Sequence, residues 1–252
     1  MRQEKIAVKK FGRITSTQAY AEKRKKYGKN VIVTAKEQTA GKGTKGRTFS
    51  SRRGGVFLSA LFYYKNLPAD KSFLIMAGTC TAVCKTLEDG GIPARIKWPN
   101  DVYAGGKKIC GILTENTIYS GGICSVCGIG LNVINPLPAE LKDTATSAAE
   151  ETGEKQNVTR WRDRLISRLC EAYKSLSAAG ECGEEERSKR YAVIFEEYRA
   201  RLGFVGENMA LSTQEGGCIA RILGVDETGG LRVLVGGEEK TFSAAEVVRL
   251  RV

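Results

Sequence analysis

The chain has 252 residues, 42% of them hydrophobic, which suits one large domain with a small appendage and a well-buried core. With 40 Lys and Arg against 28 Asp and Glu its net charge is +12, a surface that favours an acidic partner such as nucleic acid, ATP or an acidic carrier protein, or that serves solubility alone. It contains no histidine, which excludes any mechanism using imidazole as base, nucleophile or metal ligand, and no apolar run approaches the ~20 residues of a membrane helix.

In chain order, Ser16 and Thr17 are N-cap types that open a helix running through Gln18 to Tyr27, closed by Gly28. A strand, Val31 to Ala35, then delivers Gln38 and the segment Gly41, Lys42, Gly43, Thr44, Lys45, Gly46, Arg47. Three glycines and three cations in seven residues describe a loop that brings backbone N–H groups and positive charge close to phosphate. The spelling fits both a dinucleotide-binding turn and a P-loop with Arg47 in the lysine position, but both need a helix to start directly after the glycines. Here the apolar strand Val56 to Phe62 follows instead, so the loop lies between two strands.

Ser72 to Leu87 reads as a buried helix, closed by Gly90 and Gly91. A short strand, Ala94 to Ile96, leads into Lys97, Trp98, Pro99, Asn100 and Asp101, and a hairpin follows: Val102 to Ala104, Gly105 and Gly106, then Lys107 to Leu113. Pro99 fixes a turn, Trp98 packs beneath it, and Asn100, Asp101 and Lys97 are left as oxygen ligands and cation for Mg²⁺ and a nucleotide phosphate. The bland reading of the same residues is an Asn-Asp turn with ordinary capping chemistry.

Eight cysteines include a single C-x-x-C pair, Cys124 and Cys127, inside the apolar run Ile123 to Ile129. Three residues apart on a strand they point to opposite faces, and no second pair completes a zinc site. Scattered thiols and no N-terminal apolar segment predict the cytoplasm. Thr159 is expected to cap a helix with Ile166, Leu169, Tyr173 and Leu176 on one face, and Tyr191, Ile194, Phe195, Tyr198 and Leu202 mark another before Gly203. Thereafter short strands, Asn208 to Ser212, Cys218 to Val225, Leu231 to Val235 and Val247 to Val252, separated by paired glycines, predict a small barrel or sandwich.

The glycine loop and the Lys97 to Asp101 motif together resemble the catalytic domain of a biotin protein ligase. The resemblance continues from Ser16 and Thr17 through Gln38, then through Lys108, Ile109, Cys110, Gly111, Ile112, Leu113, Thr114 and Glu115. It extends to Gly128, Ile129, Gly130, Leu131, Asn132 and Val133, and to Ala145, Thr146 and Ser147. It covers about residues 12–200 closely and the C-terminal 48 more loosely. It implies an α+β fold: a mixed-sheet catalytic domain of class II synthetase-like, biotin/lipoate ligase type over residues 1–203, and an SH3-like C-terminal domain over 204–252.

The activity implied is synthesis of biotinyl-AMP from biotin and ATP with Mg²⁺, followed by transfer of biotin to a lysine of a biotin carboxyl carrier protein domain. The resemblance assigns Lys108 to the biotin carboxylate, Lys97 to the α-phosphate, and Arg47, Lys42 and Lys45 to the other phosphates, with Gly43 and Thr44 completing the ATP loop. Asn100, Asp101 and Asn132 would orient Mg²⁺ or the nucleotide, and Asp101 the carrier's amine. Thr17 and Gln38 would face the ureido ring with Ser16 supporting their rim, Gly41 and Lys42 beside them, and Gly111, Gly128 and Gly130 would let strands pass close to biotin. Where the family usually has Asn after the Ser-Thr pair this chain has Gln18. Where the family commonly has Arg it has Thr44, a change that predicts easier escape of the adenylate. Only about eleven residues precede the resemblance, so no DNA-binding domain is expected. Many family members dimerise by pairing sheets, although no edge strand for a homodimer is identifiable here. Two alternatives remain: a lipoate or octanoyl ligase or transferase of the same fold, and a nucleic-acid-binding module that uses the +12 charge without chemistry.

Overall fold

Ser16 acts as its residue type suggests: its Oγ accepts the Ala19 N–H at 3.3 Å and starts α1 (Thr17–Arg24). A 3₁₀ turn extends the element to Tyr27, and Gly28 ends it at φ +61°, a left-handed conformation that glycine adopts without strain. The computed structural model describes residues 6–251.

Before and after α1 come β1 (Ala7–Phe11) and β2 (Val31–Ala35), which pair in parallel. The rest of the first sheet is antiparallel: β3 (Val56–Lys65), β4 (Arg95–Lys97), β5 (Asp101–Ala104), β6 (Lys107–Tyr119) and β7 (Gly122–Leu131), in the order β1-β2-β3-β7-β6-β5-β4. Strand alternation decides the two faces. Leu58, Ala60, Phe62, Cys127 and Ile129 join a large core behind the sheet, while Val31, Val33, Leu61, Cys124 and Val126 pack in front against Ala21 of α1. Cys124 and Cys127 therefore do face opposite sides, and neither forms a disulfide.

The rear face is covered by α2 (Phe73–Glu88) and, after the short α3 (Ala148–Thr152), by α4 (Val158–Gly180) and α5 (Glu184–Arg199). The cap of α4 differs from expectation. Asn157, two residues before Thr159, accepts the Arg160 N–H at 3.1 Å, which places Thr159 inside the first turn. Both side chains are capping types, and the chain reaches helical geometry at the earlier one.

The chain leaves the first sheet at Gly203, whose N–H bonds Ile96 O at 2.8 Å. It then forms β8 (Asn208–Thr213), β9 (Gly217–Val225), β10 (Leu231–Val235), β11 (Glu238–Phe242) and β12 (Val247–Arg251), an antiparallel sheet ordered β11-β10-β9-β8-β12. The fold is thus α+β, with the expected small second β unit. Strand β11 escapes sequence reading because Glu-Glu-Lys lacks β-type residues, and its pairing partner β10 decides its conformation. Among the described residues no helix is long and apolar enough to cross a membrane.

Trp98 joins the two sheets. Its ring is buried at 5% exposure, and its indole N–H donates to Gly229 O in the β9–β10 turn at 2.9 Å. Replacing Trp98 by Phe leaves that buried carbonyl unpaired, so we expect a loss of about 1–3 kcal/mol of unfolding free energy in chemical denaturation.

Candidate active site

On the front face, Phe57 of β3, Gly130 of β7, Gly111 of β6 and Asp101 of β5 stand side by side in register. One row along, Ser59, Gly128 and Leu113 do the same. Three of these positions lack a side chain, so the sheet surface sinks into a trough whose floor is backbone. Thr17, Gln18, Gln38, Lys42, Gly43, Thr44, Phe49, Asn100 and Lys108 form its walls.

One end of the trough is a neutral hydrogen-bond network. Gln38 Oε1 accepts from the Thr17 N–H at 2.7 Å and the Thr17 hydroxyl at 3.0 Å, while Gln38 Nε2 donates to Ser51 Oγ at 2.9 Å. The Thr17 and Ser59 hydroxyls lie 2.9 Å apart, Ser59 Oγ donates to Gln18 Oε1 at 3.1 Å, and Gln18 Nε2 donates to Glu115 at 2.6 Å. Gln18 also roofs Gly128, where a Cβ would come within 2.6 Å of Gln18 Oε1. Ser16 stays behind this wall as the helix cap.

The other end is charged. Lys108 Nζ meets Asp101 Oδ1 at 2.6 Å above Gly111, and both side chains are about one-third exposed. A break in β5–β6 register at Val102/Tyr103 brings Lys108 opposite Tyr103 instead of continuing the regular ladder. Behind the pair, Lys97 Nζ donates to the Tyr103 hydroxyl at 3.2 Å. Burial holds the Lys97 ammonium below its ordinary pKa, opposed by Asp101 and assisted by Lys108 and Arg251. The Tyr103 phenol is pushed up to about 12, first by burial and then by Asp101, and stays protonated. Asn100 spends its amide N–H on Ile112 O and keeps Oδ1 free for another partner.

The glycine loop closes over this end as a tight hairpin. Gly43 N–H bonds Arg47 O at 2.8 Å, Phe49 N–H bonds Gly41 O at 2.9 Å, and the tip reverses through Lys45 (φ +56°) and Gly46 (φ +71°). Gly41 has no room for a side chain, because a Cβ there would overlap Phe49 O and Ser51 Oγ. Lys45 turns outward, its ammonium on Val247 O of β12, and Arg47 is exposed at the loop surface. Phe49 folds inward, and its ring covers Gly111 and Gly130.

The structure thus brings Thr17, Gln38, Lys42, Gly43, Thr44, Asn100, Asp101, Lys108, Gly111, Gly128 and Gly130 to one cleft. Asn132 is elsewhere. It is 7% exposed, its Nδ2 donates to Thr146 O at 3.0 Å and its Oδ1 accepts from Asn135 at 3.0 Å, and it does not line the cleft. Its effect is indirect: it holds the segment whose Thr146 N–H and Thr144 O bond the backbone of Lys108. Ser59 and the Gln18–Glu115 contact were not anticipated as parts of the cleft. The signal for Ser59 was a lone hydroxyl between Leu58 and Ala60 in an otherwise apolar strand. Among the described residues no three Cys, Asp or Glu side chains gather as a metal cluster. A single carboxylate with an amide oxygen suits a Mg²⁺ that keeps its waters and arrives on phosphates.

The family model for the biotin/lipoate A/B protein ligase family matches residues 10–132. The bifunctional ligase/repressor BirA of Bacillus subtilis (strain 168) is 32% identical over 219 residues, which is 84% of this chain and 64% of that protein. The biotin--[acetyl-CoA-carboxylase] ligase of Mycobacterium tuberculosis is 28% identical over 227 residues, covering 88% of this chain and 79% of its own length. A solved biotin protein ligase from Aquifex aeolicus in complex with biotin and ATP superposes with a TM-score of 0.76 at 28% identity, covering 97% of this chain and 98% of that one. The chain spans 64% of the length of the Bacillus relative, so similarity to that protein concerns part of it.

Proposed function

We propose, from the premise that this chain belongs to the biotin/lipoate A/B protein ligase family, that it condenses biotin with ATP to biotinyl-5'-AMP and passes the biotin to a lysine of a carrier protein domain. The observation that carries this reading is the glycine-floored trough with a neutral hydrogen-bond network at one end and the Lys108–Asp101 pair at the other. A ureido ring needs paired donors and acceptors, and Thr17, Gln38 and Ser59 can exchange their mutual hydrogen bonds for bonds to it, whereas the dithiolane of lipoate offers them nothing in exchange. A flat apolar body needs a floor without side chains, and a carboxylate needs a fixed cation.

In the first step a biotin carboxylate oxygen bonds the α-phosphorus and the bond to the β-phosphate oxygen breaks, releasing pyrophosphate. Two anions must meet, so the residues' task is charge neutralisation and alignment. Lys108 takes the biotin carboxylate in exchange for Asp101, and Lys97 faces the α-phosphate. Lys42 and Arg47 serve the remaining phosphates, and Lys45 contributes by anchoring the loop to β12. Asp101 and Asn100 Oδ1 are the protein oxygens that would hold a Mg²⁺ arriving with ATP, which would supply further charge neutralisation. In the second step the carrier's amine nitrogen bonds the acyl carbon, the bond to AMP breaks, and the amine proton is lost. Asp101, released from Lys108, orients that amine. The Phe49 ring swings off Gly111 and Gly130 as biotin enters.

ATP–pyrophosphate exchange with biotin or lipoate in parallel tests this. Exchange that requires biotin is the expected result, exchange with lipoate alone would replace the substrate, and none with either would remove the ligase reading. Thr44 lines the cleft where a cation would help hold the adenylate. We expect Thr44→Arg to reduce biotinylation of bystander lysines by at least several-fold in a mixed-protein labelling assay, and equal labelling by both proteins would refute it.

A further inference from the structure

Behind the sheet, on the side away from the trough, α2, α4 and α5 line a partly open cavity of about 190 Å³ against β3 and β7. Its walls are largely apolar, among them Ala60, Phe62, Leu74, Leu169, Ala172 and Ile194. Gly78 of α2 lines it, facing Ala172 of α4 and Ile194 of α5, and a Cβ at Gly78 would stand in van der Waals contact with both at 3.8 Å. Glycine inside a helix costs about 1 kcal/mol relative to alanine, and here the added methyl would fit without a clash.

One wall carries an unanswered polar group. Thr79 and Thr86 of the same helix donate their hydroxyls to carbonyls one turn back, each at 2.7 Å. Thr81, on the cavity wall and 4% exposed, has no partner for its hydroxyl among the described residues. A buried hydroxyl without a partner is destabilising unless something supplies one. The rim is formed by two ion pairs of long side chains, Lys85–Glu197 at 2.7 Å and Arg168–Glu171 at 3.0 Å, with Arg168 also bonded to Asp89 at 2.8 Å, all partly exposed.

We propose that this cavity is a second binding site, for an uncharged small molecule about the size of a substituted benzene with a single hydrogen-bonding group that pairs with Thr81. An apolar cavity of about 150 Å³ is large enough to take benzene, so this volume admits one further small substituent. The Thr81 hydroxyl selects a polar substituent over a methyl. The site shares strands β3 and β7 with the trough but no side chain lining it, since Ala60 and Cys127 face the cavity where Ser59 and Gly128 face the trough.

Toluene and benzyl alcohol, titrated into the full chain and followed by saturation-transfer NMR and thermal unfolding, test the assignment. Both are expected to bind at millimolar concentration and raise the unfolding midpoint. In Thr81→Val the affinity ratio of benzyl alcohol to toluene should fall by about tenfold while toluene binding persists. Gly78→Leu should remove both ligands, and Ala172→Leu fills the same space from α4 should that variant not fold. Absence of binding by either probe, which leaves at most water in the cavity, overturns the proposal. So does an unchanged ratio in Thr81→Val, or binding that survives a filled cavity.

Discussion

Lys108→Ala should lower biotin-dependent ATP–pyrophosphate exchange by about 10²–10³-fold, the range seen when one charge-stabilising donor is removed from a preorganised site. The loss has two sources. The variant lacks the cation that receives the biotin carboxylate, and it leaves Asp101 uncompensated where that carboxylate must come to rest. Lys108 and Asp101 are 2.6 Å apart, and among the described residues no other acidic side chain lines the trough at that end. The fold should hardly respond, because a partly exposed ion pair contributes only about 0–1 kcal/mol and Asp101 is rehydrated when its partner goes. The double variant Lys108→Ala/Asp101→Ala separates the two sources in biotin binding without ATP, where Asp101 has no Mg²⁺ to hold: it removes the repulsion with the cation and should recover part of the lost affinity. Circular dichroism and thermal unfolding check that each protein is folded. Exchange within a few-fold of the parent in Lys108→Ala would show that Lys97 alone carries the charge and would overturn the assignment.

How much of this site could be read from residues depends on whether local chemistry or distant packing sets each part. Ser16, Gly28 and the Val31–Ala35 strand obey local rules and appear where those rules put them. The loop between two strands was also legible, since the apolar run after Arg47 rules out a helix. The inward fold of Phe49 and the outward turn of Lys45 were not, because each is decided by a surface far away in the chain, the glycine floor for one and Val247 of β12 for the other. Asn132 shows the same limit. As a residue type it suits a nucleotide or Mg²⁺, but Thr146 and Asn135 hold its amide away from the cleft, and neither contact is visible as a spacing. Gln18 illustrates the converse, a departure from a pattern whose consequence appears only in space: its longer side chain spans from Ser59 to Glu115 over Gly128.

Gly130→Val is the other change expected to be decisive, and it acts by shape alone. Gly130 lies one residue before the end of β7 at an ordinary φ, paired with Phe57 on one side and Gly111 on the other, so the backbone imposes no strain on a β-branched residue and strand propensity favours one. Yet a Cβ there overlaps the Phe49 ring and projects into the trough. In the unliganded protein Phe49 is only half-buried and can be displaced outward, which limits the effect on thermal unfolding to a few degrees. In the proposed binding mode a bound biotin has no such freedom, since its two ends would be held by the Thr17–Gln38 network and by Lys108. The whole cost therefore falls on binding. We expect biotin affinity by isothermal titration to drop at least about 100-fold, equivalent to about 2.8 kcal/mol, with Gly130→Ala intermediate. Phe49→Ala in the Gly130→Val background should relieve the overlap and recover thermal stability without restoring biotin, because the valine still occupies the floor. Biotin binding of parental strength in Gly130→Val would place the ligand off that floor and with it the geometry from which the function is proposed.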